Sequence, residues 1–157
     1  ETAQGMVVFQ GFLSNFWMAI TRHPPKPFTK QVLLNSTSGA KVGMWHNMLP
    51  VSGYLDEVSD KVKGKAAKEC KTVLYFHGAA ENRILQMPKM RWYMEEVGAH
   101  VLTMDYRGFG DSQCPPKAFT ACPTEIGVYE DAFMVYEYLT KPIADGGLGI
   151  HSSCIVL

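Results

Sequence analysis

From Lys71 onward, apolar and polar residues fall into blocks whose lengths suit strands and helices in turn. "TVLYF" is a continuous apolar run ended by His77-Gly78, the pattern of a strand covered on both faces. A helix is predicted from Pro88 to Val97, with proline in its first turn and Gly98 just past its end. "AHVLTMDY" predicts the next strand, and "RGFGDS" a glycine-rich turn. A loop with Pro115, Pro116 and Pro123 leads to a second helix. Thr124 can cap it, Glu125 lies in its first turn, and Ile126, Tyr129, Phe133 and Tyr136 to Tyr138 supply an expected apolar face. Pro142 and "DGGLG" stop it, and "SCIVL" predicts a third buried strand.

Upstream, Gln31–Leu34 and Val42–His46 are β-rich stretches flanking the turn residues Asn35-Ser36-Thr37-Ser38-Gly39, a hairpin signal. "HPPKPF" before it reads as a stiff connector, and Pro50 to Cys70 after it as a polar insertion with a short helix at Ala66–Glu69. Strands separated by helices imply right-handed crossovers and a parallel sheet. The expected fold is therefore α/β, an antiparallel hairpin followed by parallel β-α-β-α-β. Residues 1–30 form an apolar segment and connector, and residues 31–157 the α/β unit.

The N-terminal stretch changes the picture in one respect. Thr2 to Thr21 carries no charge, and Met6–Ile20 is rich in apolar and aromatic residues, interrupted by Gln10, Ser14 and Asn15. It is weaker than a spanning helix and lacks the basic start and cleavage site of a signal peptide. Two readings stay open: an element packed on the domain, or a segment lying on a membrane surface after an upstream anchor. "NST" at Asn35 is a glycosylation acceptor pattern and tilts the expected location towards a secretory compartment. The sequence leaves the localisation open and favours membrane association at the endoplasmic reticulum.

With 157 residues, 46% hydrophobic and 19% charged, the chain suffices for one domain with a real core. Acidic and basic residues balance at 15 each, so no global field draws it to nucleic acid. Lysines between Lys61 and Lys71 are interleaved with acids and read as a solvated insertion. Cys70, Cys114, Cys122 and Cys154 show no metal spacing, and no metal or cofactor is expected. Cys154 reads as a buried thiol. Cys114 and Cys122 flank a proline-containing loop, compatible with a disulfide or with two free thiols.

Ligands of open parallel sheets bind at the carboxyl ends of the strands, where two stretches carry chemistry. In "YFHGAAENR", Gly78, Ala79 and Ala80 leave backbone N–H groups unobstructed. A tight turn is the plainer reading of His77-Gly78, and an oxyanion hole the functional one. In "DYRGFGDS", Asp105 and Arg107 bracket the strand end and would most simply pair to brace the turn, while Gly108 and Gly110 permit special turn geometry. Ser112 is not taken as a nucleophile. "GDSQC" puts cysteine where the nucleophile elbow needs glycine, and two prolines follow instead of a helix. Of the histidines, only His77 falls at the carboxyl edge, so no Ser-His-Asp set assembles.

Taken in order, the hairpin with "VGMWH", the strand "VLYFHG", the strand and turn "VLTMDYRGFGDS" and the last strand "CIVL" resemble the α/β-hydrolase superfamily. Within it the chain looks most like membrane-associated lysophospholipases and monoacylglycerol lipases. The resemblance covers about Gln31 to Leu157, with the Pro50–Cys70 insertion as its main departure. It implies a serine hydrolase acting on a lipid-like acyl ester, with the Ala79 backbone N–H as one oxyanion donor. It also implies that the serine, acid and histidine follow Leu157, so that these residues alone are expected to be inactive. The alternative is a non-catalytic α/β-hydrolase-like module for binding or interaction.

Overall fold

Alternation along the central strands sorts their side chains onto two faces, and each face needs its own cover. The computed structural model, which describes residues 29–47, 71–79, 81–97, 99–116 and 122–157, places one helix on each. Met6–Ile20, the proline connector, Pro50–Cys70 with its short helix, and Ala80 lie outside the described residues.

Strands β1 (Thr29–Asn35) and β2 (Lys41–Asn47) form the expected hairpin, each longer than its sequence signal. β3 (Thr72–Phe76), β4 (His100–Met104) and β5 (Ile155–Val156) complete a mixed sheet in the order β1-β2-β4-β3-β5. β4 pairs antiparallel with β2, and β3 runs parallel to both β4 and β5. Helix α1 (Met87–Glu95) lies between β3 and β4 in the chain, and α2 (Glu125–Thr140) between β4 and β5.

Val42, Met44, Leu74, Leu102 and Met104 face one way and bury Val135 and Leu139 of α2, with Leu148 and Ile150 from the segment beyond it. Trp45 and Val101 face the other way and cover Met90 of α1. Each fully buried Val or Leu on these faces stabilises the fold by about 1.5–3 kcal/mol. After α2, the chain folds back along the helix end: Leu148 N–H donates to Tyr138 O and Ile150 N–H to Leu139 O.

Thr124 caps α2 as its sequence predicts, its hydroxyl accepting the Gly127 N–H at 3.1 Å. The expected apolar face needs correction. Ile126, Tyr129 and Phe133 are 73%, 68% and 62% exposed, although Tyr136 and Tyr138 do pack on the core. The buried stripe is Gly127, Asp131, Val135 and Leu139, one residue every turn. Its cause is Arg107. Asp131 is fully buried because it receives that guanidinium, and a Cβ on Gly127 would come within 2.9 Å of it.

The "SCIVL" expectation is also corrected. Ser152–Cys154 is a 3-10 turn, β5 has only two residues, and Val156 and Leu157 are exposed. β5 ends the described sheet, so only one side of it is paired. Cys154 is not a thiol but disulfide-bonded, and Cys114 bonds to Cys122. None of the described helices is long and apolar enough to cross a membrane.

Candidate active site

The carboxyl ends of parallel β3 and β4 put the loop from His77 beside the turn from Asp105. His77 is buried between the rings of Tyr106 and Phe109, with centroids 4.9 and 5.2 Å away. Its Nδ1 lies 2.8 Å from Gly78 O; a carbonyl oxygen only accepts, so Nδ1 carries the proton. That turns Nε2 towards Asp105 Oδ1, 3.5 Å away.

Asp105 is fully buried and is the hub of the edge. It accepts the Arg83 N–H at 2.8 Å, and Arg83 Nε lies 3.2 Å from its second oxygen. Burial pushes the Asp105 carboxyl above its ordinary pKa, against the opposing pull of Arg83 and His77. Arg83 Nη2 also donates to Asp111 at 2.5 Å, and its guanidinium covers the Trp45 ring at 4.9 Å. Gln31 on β1 completes the chain by donating to Asp111 at 2.6 Å.

The expected Asp105–Arg107 brace does not form. Arg107 turns away to Asp131 and Glu130, while Asp105 takes Arg83, a residue the sequence reading passed over. Arg83 lies in an aperiodic loop, so no pattern exposed it. Its partners Asp105 and Asp111 lie 22 and 28 residues further along the chain, so no local signal was available. Gly108 and Gly110 both adopt positive φ, as their turn requires. At Gly110 a Cβ would collide with the Asp105 carboxylate.

Ser112 is committed to structure: its buried hydroxyl donates to Asp105 O at 2.6 Å and accepts the Gly43 N–H at 2.8 Å. A Ser–His contact does occur in the turn before β5, where Ser153 Oγ lies 2.7 Å from His151 Nδ1, the atom that caps the turn by accepting the Ser153 N–H. It lies at the amino end of that strand, on the opposite edge from Ala79. No group of three or more His, Cys, Asp or Glu among the described residues could hold a metal.

The loop itself is braced by two reciprocal bonds. Gly78 N–H donates to the Glu81 carboxylate and Glu81 N–H to Gly78 O, both at 3.1 Å. Together they close a four-residue turn from Gly78 to Glu81. The Gly78 N–H lowers the Glu81 pKa and is itself used up. Ala79 is exposed, and its N–H donates to none of the described residues. Chemically, the edge offers a backbone N–H at Ala79 that the described residues leave unused, on a turn braced by Glu81 and beside a largely buried charge chain.

No family model matches the chain. It is 32% identical over 137 residues to Protein ABHD12B of Homo sapiens, covering 85% of this chain and 36% of that protein. It is 29% identical over 123 residues to lysophosphatidylserine lipase ABHD12 of Danio rerio, covering 73% and 29%. The chain thus spans about a third of the length of these curated relatives. The crystal structure of an alpha-beta hydrolase from Vibrio vulnificus superposes with a TM-score of 0.51 at 17% identity, over 92% of this chain and 45% of that one. That likeness extends to the fold.

Proposed function

The chain belongs to the α/β-hydrolase superfamily, and on that premise we propose that it forms the oxyanion side of a serine hydrolase for acyl esters of lipids. Lysophospholipids and monoacylglycerols are the substrate class. The nucleophilic serine, the acid and the general base come from sequence that this chain does not contain. Ala79 N–H would meet the negative charge that develops on the ester oxygen as the serine attacks. The proton released by the serine passes to the histidine and then to the leaving alcohol. Lipase-type relatives support the ester class, and exposed Ala79 on its braced turn, with an N–H that bonds to none of the described residues, is the observation that carries the reading.

A fluorophosphonate probe tests it directly. The 157-residue chain should take up no probe, Ser112 and Ser153 included. The product of the complete reading frame should be labelled at one serine and hydrolyse lysophospholipid. In that product Ala79→Pro, which deletes the N–H, should lower kcat about 10²–10³-fold. Labelling of the short chain, or a long product that takes no label, overturns the proposal. The second result would favour the non-catalytic binding module.

A further inference from the structure

One motif is left unused by the candidate site. The chain contains a single Asn-X-Ser/Thr triplet, Asn35-Ser36-Thr37, with no proline in the middle. We propose that Asn35 is an N-glycan acceptor. Two observations carry this beyond the triplet.

The first is how the hairpin turn is built. Asn35 is the last residue of β1, which stands at the edge of the described sheet, and Asn35 and Thr37 are both exposed. The turn is closed by Ser36 instead. Its N–H donates to Ala40 O, its carbonyl accepts the Gly39 N–H, and its hydroxyl accepts the Ala40 N–H at 2.9 Å and contacts Ser38 Oγ. The Asn35 carboxamide and Thr37 hydroxyl bond to none of the described residues. The described residues thus leave both groups a glycosyl transfer needs unengaged, and the residue between them keeps the turn folded beneath a bulky product.

The second is the redox state. Cys114 is bonded to Cys122, Cys154 is disulfide-bonded, and none of the described cysteines is free. Such pairing belongs to an oxidising compartment, where N-glycan transfer also takes place. The hairpin and the disulfide loop are in contact, through paired backbone bonds between Lys41 and Gln113 at 2.9 and 2.7 Å. Both features thus lie in one part of the molecule.

In the transfer, the Asn35 side-chain nitrogen forms a bond to the anomeric carbon of a lipid-pyrophosphate-linked oligosaccharide. The bond from that carbon to the pyrophosphate oxygen breaks, the amide loses one proton, and the lipid pyrophosphate leaves. The whole chain is tested by expressing it behind a cleavable signal in a eukaryotic secretory pathway. Peptide N-glycosidase should produce one downward mobility shift and convert Asn35 to aspartate in the peptide map. Asn35→Gln and Thr37→Ala should each abolish the shift, and Thr37→Ser should retain it. Thiol counting reports folding independently: each variant should still show no free cysteine. Secreted chain with all cysteines oxidised and Asn35 unmodified would overturn the proposal, as would a shift that survives Asn35→Gln.

Discussion

Two buried arginines are held in opposite ways. Arg107 is saturated: its Nε and Nη2 grip both oxygens of Asp131 at 2.7–3.1 Å, its own N–H reaches the same carboxylate at 2.8 Å, and Nη2 also meets Glu130. Arg83 is stretched between Asp105, Asp111 and the face of Trp45, and its Nε and Nη1 make no hydrogen bond of good geometry. The bidentate pair fastens a turn to a helix and fixes the fold. The looser centre lies beneath the loop that carries Ala79, where Asp105 is raised in pKa and meets His77. Saturation makes a rivet, and partial satisfaction leaves a joint that responds to its surroundings.

The largest expected effect comes from breaking the rivet. Asp131→Ala strands a buried guanidinium and should cost roughly 3–5 kcal/mol in urea unfolding, unchanged between pH 5 and pH 8 because Arg107 does not titrate there. A loss below about 1 kcal/mol would reduce the pair to the worth of a surface contact and end the contrast.

The next effect is a background to be removed. Burial, then His100 and Lys30, hold the His46 pKa at about 3, well below its ordinary 6.5. Its folded value is depressed, so its stability contribution is complete above pH 6.5 and is lost as pH falls towards 3. Between pH 7 and 4.5 that loss is roughly 3 kcal/mol. His46→Phe should flatten the slope, and a melt series across this range reads it.

Against that flattened background, Arg83→Met should cost about 2 kcal/mol at pH 8, less than the rivet because Asp105 can neutralise. The folded pKa of Asp105 already lies above its ordinary value. Its ionised form therefore costs stability, incurred as pH rises through the unfolded value towards the folded one, and losing Arg83 deepens that cost. The penalty should shrink at pH 5. An equal penalty at both pH values would show that Arg83 is a second rivet.

Much of this was legible in the sequence where the cause is local. The β3 run, the Thr124 cap and the hairpin turn are each set by a few adjacent residues, and each stands where the pattern put it. The apolar stripe of α2 was misread because a buried carboxylate and a glycine occupy the core-facing line. Both answer to Arg107, which hydropathy along the helix does not register. Arg83 was missed for the same reason in reverse: its role is set by Asp105, Asp111 and Trp45, all remote in sequence. Ala79 was reached by resemblance, whereas the Glu81 brace of its turn spans only three residues of the chain.

Gln31, Asp111, Arg83, Asp105 and His77 form a line of contacts from the edge strand of the described sheet to the loop after β3. In lineages of this chain such a line should be inherited as one character. A descendant that loses Asp111 loses the use of Gln31 and slackens Arg83, so survivors should carry paired or triple changes there. Arg107 and Asp131 form a separate couple, which should change only as a pair and independently of that line.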